Sequence, residues 1–141
     1  MDRILFLCTG NSARSQMAEG LARAMGGDRV EVWSAGIEPK GVHPLAVRAM
    51  AERGIDISTQ SSKPLSAVPS NPDVVVTLCD NAADRCPAFP GRVKRVHWSL
   101  PDPAAVNGTD EEKLRAFRQT RSEIESRLAA LLGGRRGTKV P

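Results

Sequence analysis

Cys8 and Arg14 are the two residues of this sequence best suited to chemistry, and they lie at the ends of the segment CTGNSAR. A thiolate is a nucleophile, and a guanidinium offers a planar pair of donors to two oxygens of an anion. An apolar run precedes Cys8 and an amphipathic pattern follows Arg14, which predicts a glycine-containing turn between a strand and a helix N-terminus. Backbone N–H groups of such a turn can converge on an anion. We therefore predict a nucleophile held in an oxyanion-binding loop.

The groups around Cys8 favour its anionic form, since Ser12 and Ser15 can donate hydrogen bonds to the sulfur and the helix N-terminus is electropositive. The same groups would stabilise negative charge on a tetrahedral substrate during attack. The residues predicted to bind the substrate anion are Thr9, Gly10, Asn11, Ser12, Ala13 and Arg14. The alternative is that Cys8 is a buried strand-end residue and Arg14 a solvated helix residue. That alternative is weaker because the strand, the glycine turn, the helix and the serine after Arg14 all agree with an anion-binding loop.

Asp102, in a Pro-Asp-Pro tripeptide, is our candidate for the acid that protonates the departing oxygen. The flanking prolines stiffen a loop that follows the last predicted strand. Asp-Pro is also common in ordinary turns. Taken alone, this tripeptide does not distinguish the two roles.

The elements that must position these residues alternate between strand and helix. Strands are predicted over residues 3–7, 30–34, 73–78 and 93–98. Helices are predicted from the loop to Gly26-Gly27, over 44–53, and from a Thr109–Glu112 capping box to Gly133-Gly134. This order predicts a three-layer α/β fold, with a four-stranded parallel sheet flanked by helices on both faces. Ligands of such sheets sit at the carboxyl ends of the strands. The residues predicted at those ends are Cys8, Ser34, Cys79 and Trp98.

Composition limits the class of protein. The 141 residues, 40% of them apolar, suit a single domain, which we place at residues 1–134 with a disordered basic tail at 135–141. The tail supplies three of the four net positive charges, so the body carries about +1 and a nucleic-acid role is weakly supported. No apolar run approaches the ~20 residues of a membrane span. We expect a cytoplasmic monomer whose three cysteines are reactive thiols rather than disulfide staples.

The segment at residues 8–15, together with Asp102-Pro103, resembles the low-molecular-weight protein tyrosine phosphatase family, and the resemblance extends from Asp2 to Leu132. It implies a four-stranded parallel sheet and a cysteine-centred phosphate loop. It also implies that Arg14 binds the oxyanion and that Asp102 is the general acid.

Two further thiols, Cys79 and Cys86, have no evident use in a phosphatase. The segment 75–87, with residues 34–38 and His97-Trp98, resembles the thioredoxin-coupled arsenate reductases built on the phosphatase scaffold. Phosphatases of the family commonly carry aromatic residues after the Asp-Pro pair, whereas two alanines follow here and the chain contains no tyrosine.

This second resemblance implies a relay of three thiols. Cys8 attacks arsenate, Cys79 attacks the Cys8 sulfur so that arsenite leaves, and Cys86 resolves the disulfide that has formed. External thioredoxin, or a similar dithiol, then restores the thiols, and no bound cofactor or metal is implied. The catalytic residues are expected to be Cys8, Arg14, Ser15, Cys79, Cys86 and Asp102.

Three alternatives remain open from the residues: a phosphatase with spare cysteines, a noncatalytic anion-binding module, and a zinc site. The first treats Cys79 as core packing and Cys86 as a surface thiol. The zinc site is weak because no nearby Cys or His completes a set with the two cysteines.

The spacing of Cys79 and Cys86 predicts a conformational change. Seven residues of α-helix rise ~10 Å, whereas a disulfide requires Cα atoms within ~7 Å. If residues 80–85 are helical in the reduced protein, they must unwind or loop out when the two thiols join.

Some arsenate reductases of this type hold potassium with residues matching Asn11, Glu19, Ser34 and a downstream aspartate. The matching downstream position here is Lys63. We expect the Lys63 ammonium to pair with Glu19 in place of the cation. His43 is expected to begin a helix, and His97 to pack at a strand end.

Overall fold

The structure is a computed structural model that describes residues 2–86, 89 and 91–136. One parallel sheet of four strands is present, in the order β2-β1-β3-β4. The strands are β1 (Asp2–Cys8), β2 (Val30–Gly36), β3 (Val74–Thr77) and β4 (Lys94–His97). The helices are α1 (Arg14–Gly26), α2 (Pro44–Ala51), α3 (Asp80–Arg85) and α4 (Asp110–Arg136). The predicted α/β fold is confirmed.

The core is built around the two central strands. Residues 4–7 of β1 and 74–76 of β3 are at most 1% exposed, as expected for apolar strands covered on both faces of a parallel sheet. Helices α1, α2 and α4 pack against one another, and α3 packs against β1 and β3. The edge strand β4 is mostly exposed. The sheet is thus anchored at its centre, and its β4 edge faces solvent.

β2 lies on one side of β1, and β3 lies on the other side. The carboxyl ends of β1 and β3 are therefore the switch point of the sheet, where ligands bind in this architecture. Cys8 ends β1, and Cys79 lies two residues beyond β3. Both thiols therefore lie where this architecture binds ligands. Ser34 does not share that position, because β2 continues to Gly36 and Ser34 pairs with Phe6 inside the sheet.

The sequence predicted both ends of α4. The capping box is confirmed, since the Glu112 N–H donates to Thr109 Oγ1 at 3.2 Å and the Thr109 N–H donates to Glu112 Oε1 at 3.0 Å. The prediction that α4 ends at Gly133-Gly134 is wrong, because the helix continues to Arg136. A glycine costs a helix only about 1 kcal/mol, and arginines suit the negative C-terminal end. The rest of the predicted tail, 137–141, lies outside the described residues.

Within the part of the chain that the structure describes, no helix combines the length and apolar character needed to cross a bilayer.

Candidate active site

The loop between β1 and α1 is held from outside by its carbonyl groups. The Thr9, Gly10 and Ser12 carbonyls accept hydrogen bonds of 2.8, 2.9 and 2.9 Å from the backbone of the segment 38–43. The Asn11 carbonyl accepts from the Gln16 side chain at 3.0 Å. A turn whose carbonyls all point outward presents its N–H groups to its centre. This loop therefore has the backbone arrangement of an anion-binding site, as the sequence predicted.

Two residues allow this tight path. Asn11 has φ 45°, in the left-handed region that asparagine tolerates better than most residues. Gly36, at the end of β2, approaches the loop so closely that a Cβ there would lie 2.8 Å from the Asn11 nitrogen and 2.8 Å from the Thr9 carbonyl oxygen. A larger residue at Gly36 would displace the loop.

The Cys8 thiol lies in a buried hydrogen-bonded chain. Its sulfur is 2.9 Å from Ser15 Oγ, and Asn11 Nδ2 donates to the same oxygen at 2.8 Å. Asn11 uses only an acceptor site of Ser15, so the serine proton remains available for donation to the sulfur when Cys8 is a thiolate. Ser15 can thus stabilise a thiolate at Cys8. The second predicted donor, Ser12, instead lines the cavity described below.

Arg14 connects the loop to the predicted acid. Its guanidinium donates to the Leu100 carbonyl at 2.7 Å, and its second terminal nitrogen lies 3.9 Å from Asp102 Oδ2. Asp102 Oδ1 accepts from the Ala104 N–H at 2.9 Å, which fixes the carboxyl group at the start of a short 3-10 turn. The Arg14 side chain is 11% exposed and that of Asp102 is 45% exposed. The pair places a mostly buried guanidinium beside a solvent-accessible carboxyl group.

A cavity of about 500 Å³ opens over the loop. Its lining consists of Thr9, Gly10, Ser12, Arg14, Lys40, His43, Asp102 and Ala104.

Lys40 and His43 were missed as site residues, because nothing in the sequence connects the segment 38–43 to the loop. His43 begins α2 as predicted, and its Nδ1 accepts from the Leu45 N–H. Burial lowers its pKa, an effect that nearby Asp102 partly opposes. Ala104 lines the cavity at a position where a phosphotyrosine phosphatase would be expected to have an aromatic side chain that contacts the substrate ring.

Cys79 reaches the same loop from the other side. Its sulfur lies 3.2 Å from Thr9 Oγ1, next in sequence to Cys8, and it also caps α3 by accepting from the Ala82 N–H at 3.4 Å. Asn81 Nδ2 donates to Thr9 Oγ1 at 2.9 Å. The second thiol is therefore tied directly to the anion-binding loop.

Cys86 lies at the opposite end of α3, next to a guanidinium. Arg95 of β4 donates to its sulfur at 3.2 Å, and both residues line a cavity of about 150 Å³ between α3 and the sheet. All three cysteines are free thiols, with Cys8 and Cys79 buried and Cys86 half-buried. Residues 80–85 are helical, as the conformational prediction assumed. Cys8 and Cys79 thus lie together at the carboxyl ends of the strands, and Cys86 lies at the far end of α3, against β4.

Lys63 pairs with Glu19 as expected, at 3.9 Å from its Oε1. Ser34 donates to the same oxygen at 2.5 Å, and Arg23 donates to the other at 2.9 Å. The Arg23 contact was missed, although its spacing of four from Glu19 on a helix is a readable signal. Between residues 2 and 136, leaving aside 87, 88 and 90, no three His, Cys, Asp or Glu side chains form a group that could hold a metal ion.

Asp80 and His97 form a further contact near Cys79. His97 Nε2 lies 2.9 Å from Asp80 Oδ1, and His97 Nδ1 lies 2.7 Å from Thr77 Oγ1. His97 therefore lies at the strand end as expected, but it connects the sheet to α3 by hydrogen bonds in addition to packing there.

Comparisons with known proteins agree with this geometry. The arsenate reductase of Bacillus subtilis (strain 168) is 56% identical over 126 residues, which cover 89% of this chain and 91% of that protein. The solved structure of an arsenate reductase in the phosphate binding state has a TM-score of 0.82 at 36% identity, covering 95% of this chain and 98% of that one. A thioredoxin-dependent arsenate reductase from Corynebacterium glutamicum has a TM-score of 0.74 at 29% identity, covering 95% of this chain and 61% of that one. Residues 3–139 of the chain also match the sequence model of the low molecular weight phosphotyrosine protein phosphatase family. The resemblance read from the loop and Asp102 is confirmed, and the chain belongs to the low molecular weight phosphotyrosine protein phosphatase family.

Proposed function

We infer that this protein is an arsenate reductase, which converts arsenate to arsenite with thiols as the source of electrons. The observation that carries this inference is the Cys79 sulfur 3.2 Å from Thr9 Oγ1, beside the nucleophile Cys8. A hydrolase needs one thiol at the loop, whereas a thiol reductase needs a second within reach of the first. The 56% identity to an arsenate reductase supports the same activity.

The first step uses the phosphate loop. The Cys8 thiolate attacks arsenic(V), a sulfur–arsenic bond forms, and an arsenic–oxygen bond breaks. The loop N–H groups and Arg14 hold the remaining oxygens, and Asp102 supplies the proton with which the departing oxygen leaves as water. Ser15 stabilises the thiolate before attack through the 2.9 Å contact to the Cys8 sulfur. Arsenic remains in the +5 state at this point.

The second step is the reduction. The Cys79 thiolate attacks the Cys8 sulfur, the sulfur–arsenic bond breaks, and its electron pair stays on arsenic as arsenite leaves. A Cys8–Cys79 disulfide remains. Cys86 then attacks the Cys79 sulfur and releases the Cys8 thiolate, which leaves a Cys79–Cys86 disulfide. Two thiols have lost two electrons, and arsenic has gained two.

The Cys79–Cys86 disulfide must be reduced from outside. We propose that thioredoxin in the cytoplasm is the reductant, because a solved neighbour is described as thioredoxin-dependent. The helix between the two cysteines must be remodelled to join them, since its ~10 Å rise exceeds the ~7 Å limit of a disulfide. That remodelling would expose the disulfide to a protein dithiol.

The test is arsenite production from arsenate with thioredoxin, thioredoxin reductase and NADPH, compared across the wild type and Cys8→Ser, Cys79→Ser and Cys86→Ser. We expect no arsenite from the first two variants and at most one equivalent from Cys86→Ser. The matched control is Ser70→Ala, an exposed substitution outside the site, which should turn over like the wild type. Sustained turnover of Cys79→Ser or Cys86→Ser would refute the relay.

Phosphomonoester hydrolysis is a second candidate, favoured by the complete set of loop, Arg14 and Asp102. It needs neither Cys79 nor Cys86. Release of phosphate from an aryl phosphate by the Cys79→Ser, Cys86→Ser double variant, at a rate comparable to a phosphatase of this family, would make hydrolysis the main activity. We expect only slow release, because the cavity offers Ala104 and no aromatic side chain to grip the ring.

A further inference from the structure

Helix α3 is too short to hold its own position. It contains six residues, of which only Ala82 is buried. Isolated helices of this length are unstable in water, since the cost of nucleation is not recovered in so few hydrogen bonds. The backbone of Leu78 is hydrogen-bonded to Leu7 and Leu100, which places the start of this segment at the sheet. The orientation of the helix that Cys79 caps therefore depends on side-chain contacts made by its first turn.

Asp80, the first residue of the helix, makes such contacts to the end of β4. Its Oδ1 is 2.9 Å from His97 Nε2 and accepts from Ser99 Oγ at 3.1 Å. These two hydrogen bonds, that from His97 first, lower the pKa of Asp80, so its carboxylate is the form they stabilise. For Nε2 to donate, Nδ1 of a neutral His97 must accept, and the Thr77 hydroxyl at 2.7 Å can donate to it. The hydrogen bonds of the His97 ring to Asp80 and Thr77 can therefore both form with a neutral imidazole.

We propose that Asp80, His97 and Ser99 form a clamp that fixes the first turn of α3 on the sheet and thereby positions the Cys79 thiol for its attack on Cys8. His97 is a positioning residue in this scheme, because it touches neither substrate nor a reacting sulfur. The clamp holds the helix from β4, while the contacts of Cys79 and Asn81 to Thr9 hold it from the phosphate loop. Two supports on opposite sides define where the Cys79 sulfur lies.

The far end of α3 is held in a different way. Arg85 lies 3.5 Å from Glu38, and both side chains are more than half exposed. Exposed ion pairs contribute little. The Asp80 side chain is itself 78% exposed and that of His97 is 39% exposed, so the clamp differs from this pair in its shorter hydrogen bonds of 2.9 and 3.1 Å rather than in burial. The clamp keeps the Cys79 end in place. Cys86 at the other end also receives a hydrogen bond from Arg95 at 3.2 Å, so joining the two thiols has to break that contact as well as the Arg85–Glu38 pair.

The clamp rests on the proposed thiol relay, and it makes a distinct prediction about one step. Misplacing a reacting group by about 1 Å can cost up to ~10²-fold in rate. Loss of the clamp should slow formation of the Cys8–Cys79 disulfide without changing arsenate binding, which uses the loop and Arg14. His97→Gln and Asp80→Asn keep a hydrogen-bonding group at the same position and should retain most of the rate.

The experiment uses the Cys86→Ser protein, in which the reaction stops at the Cys8–Cys79 disulfide. The reduced protein is mixed with arsenate over a range of concentrations, quenched at set times and alkylated, and the disulfide is counted by mass spectrometry. Adding His97→Ala or Asp80→Ala should lower the maximal rate at least ~10-fold, with the half-saturating arsenate concentration unchanged within ~3-fold. His97→Gln and Asp80→Asn should stay within ~3-fold of the parent, as should the matched control Arg85→Gln at the other end of the helix. The double variant Asp80→Ala, His97→Ala should be no slower than Asp80→Ala alone, because loss of Asp80 already removes both hydrogen bonds of the clamp to the helix.

The outcomes separate the clamp from the relay. If the Cys86→Ser parent forms no disulfide and releases no arsenite, the relay fails and the clamp fails with it. If the parent reacts and His97→Ala reacts equally fast, the relay stands and the clamp is overturned. The clamp is also overturned if His97→Gln is as slow as His97→Ala, or if the two alanine effects multiply.

Discussion

The phosphate loop at residues 8–14 and the thiol segment at residues 79–86 meet at one edge of the sheet, yet they are built in opposite ways. The loop is held through its backbone, with carbonyls bonded to the segment 38–43 and Asn11 fully buried. The thiol segment is a six-residue helix on the surface, held mainly by side chains. The proposed reaction thus requires one part that keeps its shape and one part that changes it.

The difference follows from what each part does. An anion-binding loop stabilises charge only if its donors are already oriented when the charge develops. Two cysteines seven positions apart on a helix cannot join until the helix opens. A stable backbone network suits the first task, and contacts that can be broken one at a time suit the second.

The largest effect is expected from the nucleophile itself. Cys8→Ser should lower arsenite production at least ~10⁴-fold, because a serine hydroxyl is a far weaker nucleophile and cannot form the disulfide. Cys86→Ser is the matched control in the mobile part, and it should still release close to one equivalent in a single turnover. Arsenite is measured after rapid quenching with no reductant present. A full equivalent from Cys8→Ser would place the chemistry on another thiol.

The rigid part is tested through Asn11. Asn11→Ala should lower the free energy of unfolding by about 3 kcal/mol, because it removes one buried and one partly buried hydrogen bond and places alanine at a positive φ. Asn11→Gly removes the same hydrogen bonds, but glycine adopts a positive φ without strain. Its free energy of unfolding should therefore fall by about 1 kcal/mol less than that of Asn11→Ala.

The control for this comparison lies in the mobile part. Asn81→Ala removes an exposed hydrogen bond to Thr9 and should cost less than ~1 kcal/mol. Urea unfolding of the three variants measures these values. Equal losses for Asn11→Ala and Asn81→Ala would show that the two parts are equally well held.

Much of this site is readable from the sequence because its signals are local. A strand, a glycine turn and a helix predicted the loop around Cys8, and strand-to-helix alternation predicted where Cys79 would lie. Contacts between distant segments left no such signal: Lys40 and His43 line the cavity through backbone bonds to a loop some 30 positions earlier. The prediction that Ser34 ends β2 was wrong because pairing with β1 sets the strand end. Ala35 and Gly36 pair with Leu7 and Cys8, so β2 continues two residues beyond Ser34.

Asp102 belongs to neither part and lies beside Arg14, on a loop fixed by the prolines and by the Ala104 N–H. Asp102→Asn keeps that hydrogen bond but cannot supply a proton, so the first step should slow by about 100-fold. Arsenate binding should change little, since Arg14 and the loop remain. Single-turnover rates at saturating arsenate measure the effect. A rate equal to the wild type would mean that the departing oxygen takes its proton from another source.

The smallest effect is expected at the moving end of α3. Arg85→Gln and Glu38→Gln remove a pair whose side chains are 51% and 65% exposed, so each should change the free energy of unfolding by less than ~0.5 kcal/mol. The double variant should match the sum of the two, since there is little interaction energy to lose. Arg118→Gln is the informative contrast, because Arg118 joins α4 to Glu52 just beyond α2 through hydrogen bonds as short as 2.7 Å. These bonds, together with that from Arg121, lower the pKa of Glu52 to about 2. Urea unfolding at neutral pH compares the variants. A loss at Arg85 as large as that at Arg118 would mean that the Cys86 end is firmly held, and the division into a fixed and a mobile half would then need a different boundary.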